Sequence, residues 1–102
     1  MIHVTTTCAD LESARALASA AIGARLAACA NITPGLVSLF HWQGQVAEEP
    51  EVQLTFKTVA ACRDALVALI AAHHPYELPV ITWERVETTP EVATWLDAET
   101  GG

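Results

Sequence analysis

The chain is poor in positive charge. Its 102 residues include one lysine, Lys57, and a Lys+Arg total of 5 against 12 acidic residues, for a formal net charge of -7. A surface of that sign repels phosphate backbones and anionic lipid, so nucleic acid and membrane surfaces are excluded as first readings. It attracts cations. Long apolar runs are also missing. Arg15, Arg25, Arg63 and Asp64 interrupt each apolar stretch before the roughly 18 residues of a membrane span accumulate. Met1-Ile2-His3-Val4-Thr5 has neither the basic start nor the apolar run of a secretory leader. The three cysteines, Cys8, Cys29 and Cys62, lack the number and spacing of a disulfide framework or a zinc tetrad. Free thiols in a reducing cytoplasm are therefore expected. There is no phosphate loop, dinucleotide glycine fingerprint or nucleophile elbow, and a non-enzymatic role is expected.

Apolar side chains, by contrast, are abundant. They make up 52% of the chain, with only 17% charged, where a soluble domain averages about 25% charged. The length suits one domain, residues 1–102. So small a body hides a reduced share of its surface. The excess of apolar side chains points to cover from a partner subunit.

The pattern along the chain is β-α-β-β-α-β with a short helix at the end. Residues 2–7 are β-branched and read as a strand. Asp10 caps a helix in which Leu11, Ala14, Ala18, Ala21 and Ile22 recur at helical spacing, and Gly23 stands where it would stop. Residues 26–42 are extended, with Pro34-Gly35 as a turn or bulge. Beyond it Leu36, Ser38, Phe40 and Trp42 face one way and Val37, Leu39 and His41 the other, the pattern of a strand covered on both sides. Gln43-Gly44 is a hairpin signal, and the return strand covers residues 45–57. In that strand Val52, Leu54 and Phe56 alternate with Glu51, Gln53, Thr55 and Lys57.

Thr58 is placed to cap a helix over 59–73, with Cys62, Leu66, Leu69 and Ile70 as its buried stripe and Pro75 as its stop. Residues 79–87 read as a fourth strand. Thr89-Pro90-Glu91 opens a last helix anchored by Val92, Trp95 and Leu96. The predicted fold is α+β and ferredoxin-like, with two helices on one face of a four-stranded antiparallel sheet. Hairpin arms of roughly fourteen residues span about 45 Å, whereas a helix of that length spans about 20 Å. The hairpin must overhang its own helices. Pairing with another copy covers the aromatics and edges it would otherwise expose.

Several stretches carry a family resemblance. They are Leu26-Ala27-Ala28-Cys29-Ala30-Asn31-Ile32 with Pro34-Gly35, Ser38-Leu39-Phe40-His41-Trp42-Gln43-Gly44, Glu51 leading to Lys57-Thr58, His73-His74-Pro75-Tyr76-Glu77-Leu78-Pro79, and Trp95-Leu96. Together they resemble the CutA family, the divalent-cation tolerance proteins, over nearly the whole chain. The resemblance implies a tight homotrimer in which the long hairpins pack on neighbouring subunits. It also implies a role in tolerance of copper and other divalent metals. The fold and trimer are similar to those of PII-type nitrogen-signalling proteins. That implies an alternative, a regulatory module whose intersubunit clefts bind a small effector or a protein.

His73 and His74 are the leading metal-ligand candidates, because neutral imidazole suits copper, zinc and nickel. Neighbouring helical residues point about 100° apart, so the pair does not naturally grip one ion. The competing reading has one histidine capping the helix end. In some family members a first-strand thiol is a proposed copper ligand, and the aligned position here is Thr6. Cys8 shares that strand face if the strand extends so far, and is a third candidate; otherwise it sits in the turn before Asp10. Cys29 and Cys62 read as small buried hydrophobes. Glu48, Glu49 and Glu51 read as a solvated acidic face, with a hard cation as the alternative. Lys57, Tyr76 and Trp42 are candidates for a cleft between subunits.

Overall fold

The computed structural model of the chain describes residues 1–101. The strands are β1 (Ile2–Cys8), β2 (Cys29–Trp42), β3 (Gln45–Thr58) and β4 (Ile81–Arg85), and the helices are α1 (Leu11–Gly23), α2 (Arg63–His73) and α3 (Pro90–Glu99). A 3-10 turn, Ala60–Cys62, leads into α2. The sheet is antiparallel in the order β2-β3-β1-β4, as the ferredoxin-like reading requires.

Strict alternation divides the sheet into two faces. Ile2, Val4, Thr6 and Cys8 of β1 and Val52, Leu54, Phe56 and Thr58 of β3 are buried, and most of them pack against Ala14, Leu17, Ala18 and Ala21 of α1 and Leu66 and Ile70 of α2. Leu17 replaces Leu11 and Ile22 on the buried stripe; both of those are exposed. Trp95 is also exposed, and Leu96 alone is fully buried on α3. The intervening residues of β1 and β3 near the body of the domain are half-buried on the open face.

The expected caps are present on α1 and α3. Asp10 accepts from the Ser13 N–H at 2.7 Å, and Thr89 accepts from the Val92 N–H ahead of Pro90. α1 ends at Gly23, where a stop was expected, although Gly23 does not take the left-handed conformation. The chain runs on to Arg25, which takes the left-handed conformation (φ 57°), while the Leu26 N–H donates to the Ala21 carbonyl. Arg25 is held there because its guanidinium donates to the Ala98 carbonyl at 2.9 Å, tying α1 to α3. Thr58 does not cap the second helix. It ends β3, fully buried, and its hydroxyl donates to the Leu26 carbonyl at 2.6 Å. β4 is also shorter than the nine residues expected of 79–87.

Both hairpin arms contain fourteen residues, and the molecule measures 46 × 24 × 20 Å. The long axis matches the arm length, so the ribbon projects beyond the two-layer body. Pro34-Gly35 makes the bulge, visible as a register shift between Thr33 and Leu36, with Gly35 at φ 91°. Past the bulge Val37, Leu39, Phe40, Trp42 and Val46 are all exposed. Cover on both faces, expected from the pattern, does not come from this chain.

The tip has positive φ at both central residues, Gln43 (51°) and Gly44 (77°), as a type I′ turn requires. Glutamine is strained in that region and asparagine is less so. Gln43→Asn is therefore expected to stabilise the fold by roughly 0.5 kcal/mol. A higher guanidinium midpoint at equal protein concentration is the check, and a lower midpoint counts against the turn assignment.

Candidate functional site

The strongest polar constellation lies where the hairpin leaves the body, and it joins three segments distant in sequence. α2 ends at His73, and Pro75 prevents its continuation. His74 leaves the helix with extended backbone and turns its ring inward, where it is buried. Its Nε2 lies 2.8 Å from the Thr7 carbonyl, and its Nδ1 lies 3.1 Å from the Tyr76 backbone N. A carbonyl can only accept and a backbone N–H can only donate. The ring is therefore neutral, with the proton on Nε2. Tyr76 packs on the same imidazole, ring centroids 4.7 Å apart, and its phenol donates to Glu51 Oε2 at 2.8 Å.

Glu51 is only 9% exposed and sits opposite Leu36, at the end of the bulge. Burial pushes its carboxyl pKa up. Donation from Ser38, Tyr76 and Thr7 outweighs that, and the net shift is downward. The Tyr76 phenol is pushed upward, first by burial and then by the Glu51 carboxylate. This cluster holds the end of β1, the exit of α2 and the root of the hairpin together.

The candidate metal ligands are placed apart. β1 does extend to Cys8, so the turn placement is corrected. The strand face it shares with Thr6 is the core face, where Cys8 is fully buried. Burial, then the charges of Asp10 and Glu51, raise its thiol pKa, which disfavours the thiolate a metal requires. Thr6 is also buried, donating its hydroxyl to the Val80 carbonyl at 2.8 Å. His74 has both ring nitrogens engaged, so its ring secures the end of β1, while its backbone N–H caps α2 on the Ile70 carbonyl at 2.8 Å. His73 is exposed and borders a groove of about 280 Å³ with Ser13, Ala16, Leu17, Ala20 and Pro75. Among the described residues no three His, Cys, Asp or Glu side chains gather within reach of one ion.

Lys57, Tyr76 and Trp42 do not share a site within one chain. Trp42 pairs with Gln45 at the hairpin tip, and Lys57 lies twelve residues further along β3, about 40 Å away at strand rise. Cys29 is half-buried opposite Lys57, and Cys62 is buried. Glu48 and Glu49 are exposed, as expected, and project from opposite faces of β3. Glu51 departs from that expectation, and its partner Tyr76 is 25 residues away. Sequence reasoning missed this link. The one available signal is a carboxylate on an alternating strand opposite a Pro-Gly bulge.

The fold defines a class first: a two-layer ferredoxin-like α+β domain with a hairpin longer than its body. Its chemistry-bearing residues are spent largely on holding that hairpin in place. The comparisons with known proteins then narrow the class. The profile described as "CutA1 divalent ion tolerance protein" matches residues 2–99. The "Divalent-cation tolerance protein CutA" of Yersinia pestis (strain Pestoides F) is 39% identical over 98 residues, covering 95% of this chain and 82% of that protein. The solved structure of the divalent cation tolerance protein Cut A1 from Thermus thermophilus is 40% identical. It superimposes with a TM-score of 0.92, covering 99% of this chain and all of that one. CutA1 from Pyrococcus horikoshii is 32% identical, with a TM-score of 0.94 and full coverage of both chains. The chain belongs to the CutA1 divalent ion tolerance family.

Proposed function

We propose that the protein serves divalent-cation tolerance as a cytoplasmic, non-enzymatic homotrimer that binds a divalent metal, copper foremost. Family membership across residues 2–99 is the observation that carries this reading. The exposed apolar ribbon supports assembly, because Val37, Leu39 and Val46 are each about two-thirds exposed in the single chain. The net charge of -7 supports cation attraction.

One copy does not present a closed ligand set for the metal. His73, exposed at the end of α2, is the side chain free to bind, with water or residues of sister copies completing the shell. Binding through His74 would first have to break its bonds to Thr7 and Tyr76. Binding through Cys8 would have to open the core. Calorimetric titration with Cu²⁺ tests this. His73→Ala is expected to weaken binding at least about tenfold, as loss of one good ligand does. Equal heats from wild type and a His73→Ala/His74→Ala double variant would remove both histidines.

The alternative is a PII-like regulatory module with effector clefts between subunits, formed by Lys57, Tyr76 and Trp42. The engagement of both His74 nitrogens favours it over metal capture at that residue. A thermal-shift screen of metabolites with chelator present separates the two. A ligand-dependent shift without metal supports the module, and its absence counts against small-effector binding.

A further inference from the structure

We propose that a recess at the foot of the domain binds a free α-amino acid with an aliphatic side chain, Arg85 taking its carboxylate and Glu87 its ammonium. The recess has a volume of about 600 Å³, and Arg85, Glu87, Thr88, Ile2, Ala60 and Ala93 line it. It lies at the Ile2–Thr58 end of the sheet, whereas the hairpin projects from the opposite end, beyond Cys8 and Val52. The proposal rests on neither the metal reading nor the assembly reading, and it uses none of Lys57, Tyr76 and Trp42.

The recess is built from fixed parts. Arg85 is the last residue of β4 and pairs with Ile2 of β1. Opposite residues share a face, and Ile2 points into the core, so Arg85 leaves the sheet on the helix side. There the turn at Ala60 leads towards α2, and α3 passes with Ala93. Methyl groups at both positions leave open a space that longer side chains would fill. The loop between β4 and α3 is held at both ends. The Val86 N–H donates to the Met1 carbonyl at 2.9 Å, and Thr89 caps α3 through the Val92 N–H. Glu87 and Thr88 ride on the short span between those bonds, so the recess is formed before a ligand arrives.

The two charged side chains of the lining have no charged partner. Arg25 pairs with Glu99 and Arg63 with Asp64, but neither Arg85 nor Glu87 makes an ion pair among the described residues. They stand two positions apart in the chain without closing on each other. A protein of net charge -7 repels free anions, and Glu87 adds to that repulsion inside the recess, so a simple anion suits it poorly. Arg85 likewise repels a simple cation. A ligand carrying a carboxylate and an ammonium on one carbon meets both groups, and the planar guanidinium can grip the carboxylate through paired N–H donors. The Thr88 hydroxyl can donate or accept beside them. Ile2, Ala60 and Ala93 are apolar and take a branched aliphatic side chain out of water. A few convergent polar groups beside an apolar wall are the make-up of small-molecule sites of this size.

Amide NMR of the 15N-labelled full chain, titrated with L-leucine in the presence of EDTA, tests the site. Saturable shifts are expected at Val86, Glu87 and Ala60. Arg85→Ala and Glu87→Gln are each expected to weaken binding at least about tenfold, as loss of a hydrogen bond to a charged group does. Isocaproate lacks the ammonium of L-leucine and isoamylamine lacks its carboxylate, and each is expected to bind at least about tenfold more weakly than L-leucine. Both variants alter exposed side chains. Far-UV circular dichroism identifies a misfolded one, and Glu87→Gln, in the loop, keeps the test open if Arg85→Ala misfolds. Absence of saturable shifts overturns the proposal, and so does binding that both variants leave unchanged. Either fragment binding as tightly as L-leucine reduces the recess to a site for one charge and overturns it too. Shifts confined to Trp42, Lys57 and Tyr76 overturn this site and favour the clefts between subunits.

Discussion

His74→Ala is expected to lower the free energy of unfolding by about 2–4 kcal/mol, while His73→Ala changes it by less than about 0.5 kcal/mol. The two residues are neighbours and chemically identical, so the difference isolates the environment. Removing the His74 ring leaves the Thr7 carbonyl and the Tyr76 N–H without their partners in a buried place. Each such orphan costs about 1–3 kcal/mol, and the packing of Tyr76 on the ring is lost as well. His73 is exposed and makes no side-chain hydrogen bond in the described structure. Guanidinium unfolding at fixed protein concentration measures both, the fixed concentration being needed because assembly shifts apparent stability. Equal midpoints for the two variants would show that the imidazole at 74 is not structural.

Acid is expected to weaken the hairpin root before the helix–sheet core, through Glu51. Its folded-state pKa lies below the ordinary 4.5. A carboxylate depressed in the folded state contributes stability that is fully present above its unfolded value. That contribution is lost as pH falls through the folded value, so the loss begins below about pH 4.5. Asp10, depressed by the Ser13 backbone hydrogen bond, acts in the same direction at the start of α1. Glu51→Gln removes the ionising group and is expected to flatten the acid limb of stability relative to wild type. Tyr76→Phe removes the phenol that donates to the carboxylate and is expected to cost about 1–3 kcal/mol at neutral pH. Urea unfolding at a series of pH values reads both effects. Parallel acid limbs for wild type and Glu51→Gln would remove Glu51 from the account.

The same cluster explains how a small body holds so long a ribbon. Past the bulge at Gly35 the two arms pair as strands with each other alone among the described residues. A two-stranded ribbon alone is marginal in water. Glu51, beside the bulge, ties the ribbon to Tyr76, and His74 ties Tyr76 to β1. The projecting Phe40 and Trp42 are thereby presented from a fixed base.

Local patterning determined most of the architecture. Periods of two and 3.6 residues identify strands and helices because burial on one face imposes them. Asp10 and Thr89 announce their helices through short-range bonds to residues three positions on. Hairpin length follows from counting out from about residue 28 to the turn at Gln43-Gly44 and back to Lys57. Tertiary structure alone decided which polar groups meet. Thr58 is a plausible cap by sequence, yet its hydroxyl goes to Leu26, 32 residues away. Gly23 is the obvious helix stop, but the left-handed position falls to Arg25, held by α3. Glu51 looks solvated and is buried because Tyr76 arrives from another segment. Alternation reports which face of an element is apolar. It carries no record of what comes to rest against the other face, and polar partners 25 to 67 residues apart are chosen only when the chain closes on itself.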